Sequence, residues 1–479
     1  MKRVCTALLA LLLIAALVLP LSGVTAFAEE ADAPVALSIG SRDFSLGEAN
    51  FYYGNEYYYY LNQFGSYAMM FGLDTSAGLA GLDEQYCMML PNGSWKDYFL
   101  NYAQDYMRQT AALVAYAHEN GISLDEKDLA GVEESLASLD AYAAAGGYSD
   151  SDAMLEQEYG TGVNRETYRQ VLLDTTLAGK AYNMVNEDLV FSPEELETYY
   201  QSLDGEKDMF SCMRFQVPAA LNEGETAASA AALADARADV EAVEAVYAAD
   251  SETEPTARFS AALDACFPGV EPAISLRIDG SGLEPEERAW LMEPDREPGD
   301  LTILDGDTGC TLLVFLDYSD NHYPTVSVRH ILVMAKPDAN GIYTDEAKAA
   351  ARARAEEILA EYEAGEQTEE SFAALAEQYS EDSGSNQNGG LYMDIYKGLM
   401  VPGFEAFCFE GHEPGDTGIV YGENDSYAGY HVMYFVGEGE LRSSMIAEDD
   451  LRSSYMQNWL EELTAPYEIV PGPAFDEIG

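Results

Sequence analysis

Basic residues are scarce in this chain. Its 479 residues include 24 lysines and arginines against 85 aspartates and glutamates, for a net charge of −61. Such a field repels polyphosphates and anionic lipid surfaces, which excludes nucleic acid and acidic membranes as partners. Cysteine is sparse too. Cys5 lies in an apolar N-terminal run, and Cys87, Cys212, Cys266, Cys310 and Cys408 are scattered and odd in number. They give no disulfide framework and no metal-ligand spacing, and they read as small buried apolar residues. No metal and no cofactor is expected. Wall-sorting signals and Thr/Pro-rich stalks are missing, which argues against an adhesive surface protein.

What is present supports real cores. Apolar residues make up 48% of the chain, and the length predicts two to four domains. Met1–Ala28 has the layout of a secretory signal: Lys2 and Arg3, an apolar run from Val4 to Leu19, a break at Pro20, and the small-x-small site Ala26-Phe27-Ala28. Read this way the mature protein is extracytoplasmic, secreted or associated with the cell surface; an uncleaved anchor is the weaker alternative. No cysteine follows the run, so a lipid anchor is not indicated.

Residues 34–205 read as an all-helical module. Val35–Ile39 suggests a strand leading into a helix, with Ser45 and Glu48 as its capping box. That helix carries Phe51, Tyr52, Tyr53, Tyr57, Tyr58, Tyr59 and Tyr60. So many rings exceed one helical face, so the set is either buried all round or partly exposed for binding unfolded chains. Helical patterns continue over 95–120, 123–145 and 165–187. Ser123 with Glu126 suggests a second capping box, and Ser192, Pro193 and Glu195 start a further helix. A C-terminal helix within 441–468 is expected to complete the module, with a short strand near Tyr467–Val470.

The stretch 326–438 has the densest pattern. Val328-Arg329-His330-Ile331-Leu332-Val333 alternates like a buried strand. A helical segment follows, then Ser380-Glu381-Asp382, Gly389-Gly390, Met400 and Phe404, and finally Gly429-Tyr430-His431-Val432. This ordered set resembles the parvulin family of peptidyl-prolyl cis/trans isomerases. The resemblance covers about a hundred residues, nearly the whole of that family's domain. The stretch 208–323 looks like a worn copy of it. Cys212-Met213-Arg214-Phe215-Gln216-Val217 aligns with the first strand, Glu297-Pro298-Gly299-Asp300 repeats Glu413-Pro414-Gly415-Asp416, and Gly309-Cys310-Thr311-Leu312 aligns with the last strand. Arg214 and Thr311 stand at the two histidine positions, and the Ser-x-Asp and Gly-Gly segments are missing. The expected fold is α+β and multidomain: a helical module resembling the chaperone part of parvulin-type foldases, then two tandem parvulin-like domains, each a small antiparallel sheet wrapped by helices, the first degenerate.

The resemblance implies a chemistry. Twisting an X-Pro amide crosses roughly 18–20 kcal/mol because resonance is lost, and unaided it takes tens to hundreds of seconds. The site must grip the proline ring and favour the twisted amide over the planar one. By resemblance His330, Asp382 and His431 are catalytic: two imidazoles facing each other from neighbouring strands, with a carboxylate beside the substrate carbonyl. Tyr392, Met400 and Phe404 are substrate-binding, with Met400 and Phe404 four apart on one helical turn. Each also has a plainer reading, core residue for the rings and Met400, turn residue for Asp382. His118, His322 and His412 have no identified partner. The 334–345 loop offers Lys336 among Asp338 and Asp345, too little positive charge for a phosphorylated substrate. The implied partners are unfolded exported polypeptides with X-Pro bonds. An acidic surface suits a protein that stays soluble while holding such chains. A holdase that binds peptide without turnover is the alternative. The sequence leaves the oligomeric state open, and a dimer is compatible with it.

Overall fold

A computed structural model describes residues 34–76, 78–221, 228–250 and 253–479; the signal-like Met1–Ala28 lies outside them. The chain divides into two compact units. One comprises the described residues up to Val190 together with Leu451–Gly479, and the other the described residues from Phe191 to Asp450.

The first unit begins with a hairpin, β1 (Val35–Ile39) and β2 (Arg42–Ser45), where the sequence suggested a strand running straight into a helix. α1 (Leu46–Phe64) follows, with Ser45 and Glu48 capping each other: the Ser45 amide donates to Glu48 Oε2 at 2.8 Å and the Glu48 amide to Ser45 Oγ at 3.2 Å. Arg42 bridges Glu48 at 2.6 Å and Asp174 at 2.5 Å. Then come α2 (Trp95–Glu119), α3 (Glu126–Gly146), α4 (Ser151–Tyr159) and α5 (Arg165–Glu187). α1 is the axis of this unit, because its rings are claimed from every side. Phe51 packs on Tyr159 and Tyr168, Tyr52 on Phe44 and Tyr106, Tyr57 on Phe99, and Tyr60 on Trp95. Phe51, Tyr52, Tyr53, Tyr57 and Tyr60 are buried and Tyr58 and Tyr59 half-buried, so the set is mainly core and not an exposed aromatic surface. The capping box of α3 is also not the expected one. Asp125 and Asp128 cap it, two residues after Ser123, and Lys180 ties both carboxylates.

The second unit opens with α6 (Pro193–Ser202), capped by Ser192 and Glu195. Next are β3 (Met209–Pro218), α7 (Ala230–Ala248), α8 (Pro255–Cys266), β4 (Ala273–Asp279), α9 (Pro285–Leu291), β5 (Leu301–Gly306) and β6 (Gly309–Ser319). Then follow β7 (Pro324–Met334), α10 (Asp345–Glu363), α11 (Glu369–Tyr379), β8 (Leu391–Ile395), α12 (Pro402–Phe409), β9 (Thr417–Glu423) and β10 (Ala428–Leu441). α13 (Arg442–Thr464) ends in the first unit, where β11 (Ile469–Pro471) pairs antiparallel with β1. No helix among the described residues is long and apolar enough to cross a membrane.

Two antiparallel four-stranded sheets dominate this unit, ordered β4-β3-β6-β5 and β8-β7-β10-β9. They share one register. Arg214 faces Leu313 and Gln216 faces Thr311 in the first, as His330 faces Met433 and Leu332 faces His431 in the second. The Glu-Pro-Gly-Asp turn recurs with the same bonds: the Gly299 amide donates to the Phe315 carbonyl at 2.8 Å, and that of Gly415 to the Phe435 carbonyl at 2.9 Å. The layering matches as well. α7 and α8 cover one face of the first sheet through Val240, Val243 and Phe259, as α10 and α11 cover the second through Ile358 and Phe372. α9 takes the opposite face of the first sheet and α12 that of the second. The sheets differ where the second has its long loop. Residues 380–390 separate α11 from β8, and only 267–272 separate α8 from β4.

Candidate active site

Strand alternation puts Val326, Val328, His330 and Leu332 of β7 on one face, with His431, Met433 and Phe435 of β10. That face is covered by α12 and carries the apolar cluster of Phe404, Phe407 and Cys408. The histidines are therefore held in a core, each 3% exposed. They are not cross-strand partners but diagonal neighbours, and their Nδ1 atoms lie 3.0 Å apart.

The loop after α11 brings the carboxylate. Ser380 Oγ accepts the Leu332 amide at 3.1 Å, and the Glu381 amide donates to the Leu332 carbonyl at 2.9 Å, which clamps the loop along the outer edge of β7. Asp382 Oδ2 then lies 3.0 Å from His330 Nε2. Gly390 closes the loop against the same strand, its carbonyl accepting the His330 amide at 2.8 Å. It has a φ of +71°, and a Cβ there would stand 2.2 Å from the His330 carbonyl oxygen, so only glycine fits.

Two further residues join the set. Ser385 donates to Asp382 Oδ2 at 2.6 Å and touches His330 Nε2 at 3.1 Å; Tyr427 places its hydroxyl 3.0 Å from His431 Nε2. Sequence reasoning missed both. The signals were faint: a serine three residues after an aspartate, and a tyrosine four before a strand histidine. Tyr392 donates to Asp382 Oδ2 at 3.1 Å.

A carboxylate only accepts hydrogen bonds, so it fixes the neutral rings in order. His330 donates from Nε2 to Asp382 and accepts at Nδ1. His431 must donate from Nδ1, which leaves its Nε2 to accept from Tyr427. The hydrogen bond from His330, with help from Ser385 and the Gly384 amide, holds the Asp382 carboxyl well below the usual carboxylate range. Burial, then the adjacent His330, pushes the His431 imidazole down to about 3, so it is neutral at physiological pH.

Phe404 forms the floor beneath the pair. Its ring centroid lies 5.3 Å from that of His330 and 5.3 Å from that of His431, edge-on to both, and it is 2% exposed. Met400 is not on a helical turn with it. Pro402 takes the first position of α12, and Val401 before it is extended, as a residue preceding proline must be. Met400 is half-buried against the Phe404 cluster and also lines a separate cavity of about 470 Å³ with Arg277 and Phe409. In the first sheet the corresponding place is filled by an ion pair, Arg214 to Glu287 of α9 at 3.2 Å. Two of the other histidines do have partners: His322 contacts Glu197 at 2.9 Å, and His412 stacks on Phe407 at 4.1 Å.

The Rotamase family model, described as a PPIC-type PPIASE domain, matches residues 330–437. This stretch is a PPIC-type rotamase domain. Among curated relatives, foldase protein PrsA 3 of Bacillus anthracis is 29% identical over 152 residues, covering 32% of this chain and 45% of the relative. Chaperone SurA of Alkalilimnicola ehrlichii is 28% identical over 279 residues, covering 57% and 58%. The chain thus spans about half the length of these relatives. Among solved structures, the peptidylprolyl isomerase PrsA of Bacillus anthracis is 25% identical with a TM-score of 0.19, covering 33% of this chain and 57% of that one. PrsA of Bacillus subtilis is 12% identical with a TM-score of 0.28, covering 78% and 87%.

Proposed function

We propose that this protein is an exported peptidyl-prolyl cis/trans isomerase that also holds unfolded chains. The observation that carries the reading is the hydrogen-bonded row Tyr427–His431–His330–Asp382 laid over Phe404, inside the segment that matches the rotamase family. Phe404 gives the proline ring an apolar floor. The neutral His431 keeps the site free of a second charge. The Asp382 carboxylate disfavours the oxygen dipole of a planar amide beside it, which favours the twisted state. His330, Asp382 and His431 are assigned to catalysis, and Tyr392, Met400 and Phe404 to substrate binding.

The 208–323 segment is read as a degenerate second copy, supported by its shared strand order and register. Its Arg214–Glu287 pair stands where the histidine row would be, which suits a scaffold role. Residues 34–205 with 441–468 are read as the chaperone-like module. Export rests on the pattern of Met1–Ala28, and the clients are unfolded exported polypeptides. Lys336 of the 334–345 loop is ion-paired to Glu381, so the loop offers no spare cation for a substrate phosphate.

The test is a proline-limited refolding assay with the full chain. Acceleration that disappears in His330→Ala supports the isomerase. Suppressed aggregation without acceleration would replace it with the non-catalytic holdase.

A further inference from the structure

α3 ends on Gly147, whose φ of +83° only glycine adopts freely, and the chain turns so that Tyr148 comes back toward α4. Between α1, the end of α3, α4 and the start of α5 this turn leaves a cavity of about 500 Å³ in the first unit. Its floor is apolar, made by Phe51, Met154 and Leu155, all buried. Its walls are phenol rings: Tyr58, Tyr148, Tyr159 and Tyr168. Tyr142 stands at the rim, 71% exposed and itself part of the lining.

Among the residues lining this cavity one is charged, Glu158. Its carboxylate is held from both sides. Tyr148 donates to Oε1 at 2.7 Å, and Tyr58 donates to Oε2 at 3.1 Å while also reaching the Glu158 backbone carbonyl at 3.1 Å. Two phenol donors fix the carboxyl group in place. A negative charge among aromatic faces is complementary to a cation twice over, through the carboxylate and through the ring quadrupoles. A neutral apolar occupant would cover the carboxylate without pairing it, which is unfavourable. The volume lies within the range of preformed ligand sites. It exceeds what a lone guanidinium fills and leaves room for an alkyl stem on the apolar floor and for a chain passing Tyr142.

We infer that this cavity is a binding site for a basic side chain, arginine or lysine, presented by a polypeptide. The inference concerns the first unit alone and holds whether or not the isomerase reading does. It also gives the acidic character of the chain a local use, since the excess negative field draws basic segments toward the pocket.

The test is calorimetric titration of the full chain with acetyl-Gly-Arg-Gly-amide, its lysine counterpart, its citrulline counterpart and methylguanidinium. The arginine and lysine peptides should bind, the citrulline peptide at least about tenfold more weakly, and the affinity should fall as salt is raised. Glu158→Gln should lower affinity for the basic peptides by about tenfold and bring them level with citrulline. Tyr142→Ala, at an exposed rim position that leaves the thermal midpoint unchanged, should weaken them several-fold. Equal binding of the citrulline peptide, or no binding of any peptide, would overturn the proposal. So would methylguanidinium binding as tightly as the arginine peptide, because the polypeptide would then contribute nothing. Should Glu158→Gln lose its fold, the peptide series on the unaltered protein and the Tyr142→Ala comparison still decide the matter.

Discussion

His330 and His431 meet nitrogen to nitrogen, Nδ1 to Nδ1 at 3.0 Å, although the residue facing His330 across the strands is Met433. The contact is diagonal and needs both rings turned inward on one sheet face, and its proton order is set from outside by Asp382. A single oxygen of that carboxylate, Oδ2, takes hydrogen bonds from His330, Ser385 and Tyr392. Asp382→Ala should therefore reduce turnover and also cost about 1–3 kcal/mol of stability, because three donors lose their acceptor. Asp382→Asn should keep more of the stability and still lose turnover, since an amide can donate as well as accept and no longer fixes the tautomers. Imidazole nitrogen NMR would show His330 and His431 as single, opposite tautomers in the unaltered protein and as mixtures in Asp382→Asn. Unchanged tautomers would separate Asp382 from the ordering of the pair.

The same row makes stability depend on pH. The unfolded chain protonates His431 near its ordinary value of 6.5, and the folded chain only at about 3. Between those values the unfolded state binds more protons, so stability falls as pH drops through the window and is fully present above it. Asp382 adds a second loss below about 3.8, its ordinary value, because its folded carboxyl stays ionised further down. Comparing thermal midpoints from pH 7 to pH 4, His431→Gln should show a shallower decline than the unaltered protein. Parallel curves would mean that His431 takes up its proton in the folded state as readily as in the unfolded one.

Phe404 and Met400 should part company. Phe404 is wedged under both histidines and almost wholly buried, so Phe404→Ala should cost about 3–5 kcal/mol and take activity with it. Met400 precedes α12 and is half-buried, so Met400→Ala should cost less stability and raise KM more than it lowers kcat. Chemical denaturation alongside steady-state kinetics on peptides containing X-Pro measures both. Equal stability losses would place Met400 in the same core as Phe404.

Much of this was legible because the needed residues lie on regular elements. Alternation put His330 and His431 on strands, and spacing found the repeat. The Ser45 and Ser192 caps are local, and local chemistry reads well. The failures are tertiary. Nothing in the spacing of Phe51 to Tyr60 says that three helices and a hairpin surround α1, since an all-round apolar helix reads the same buried or bared. Ser123 reads as the cap of α3, but Asp125 takes that place, and Lys180, distant in sequence, sits on it. Met400 and Phe404 have helical spacing, but Pro402 starts the helix between them. Ser385 and Tyr427 matter only through where loops bring them, and loops carry no periodicity.

The two four-stranded sheets allow a last prediction. They share order, register and the Glu-Pro-Gly-Asp turn, so backbone alone does not distinguish them. What differs is the contents: Arg214 and Thr311 for the histidines, Glu287 in ion-pair reach of Arg214 where Phe404 lies under His330, and 267–272 in place of the long 380–390 loop. The full chain carrying His330→Ala with His431→Ala should therefore isomerise X-Pro bonds no faster than the uncatalysed rate. Adding Arg214→His and Thr311→His should not restore activity, because no carboxylate loop orders the new pair and the buried Glu287 loses its half-buried ion-pair partner. That loss should appear as a lower thermal midpoint, since the buried Glu287 carboxylate keeps only the Glu284 amide as a donor. Residual turnover in the double alanine variant would show that the first sheet holds a second site, and recovery on adding the two histidines would show that the loop and its Asp382 are dispensable.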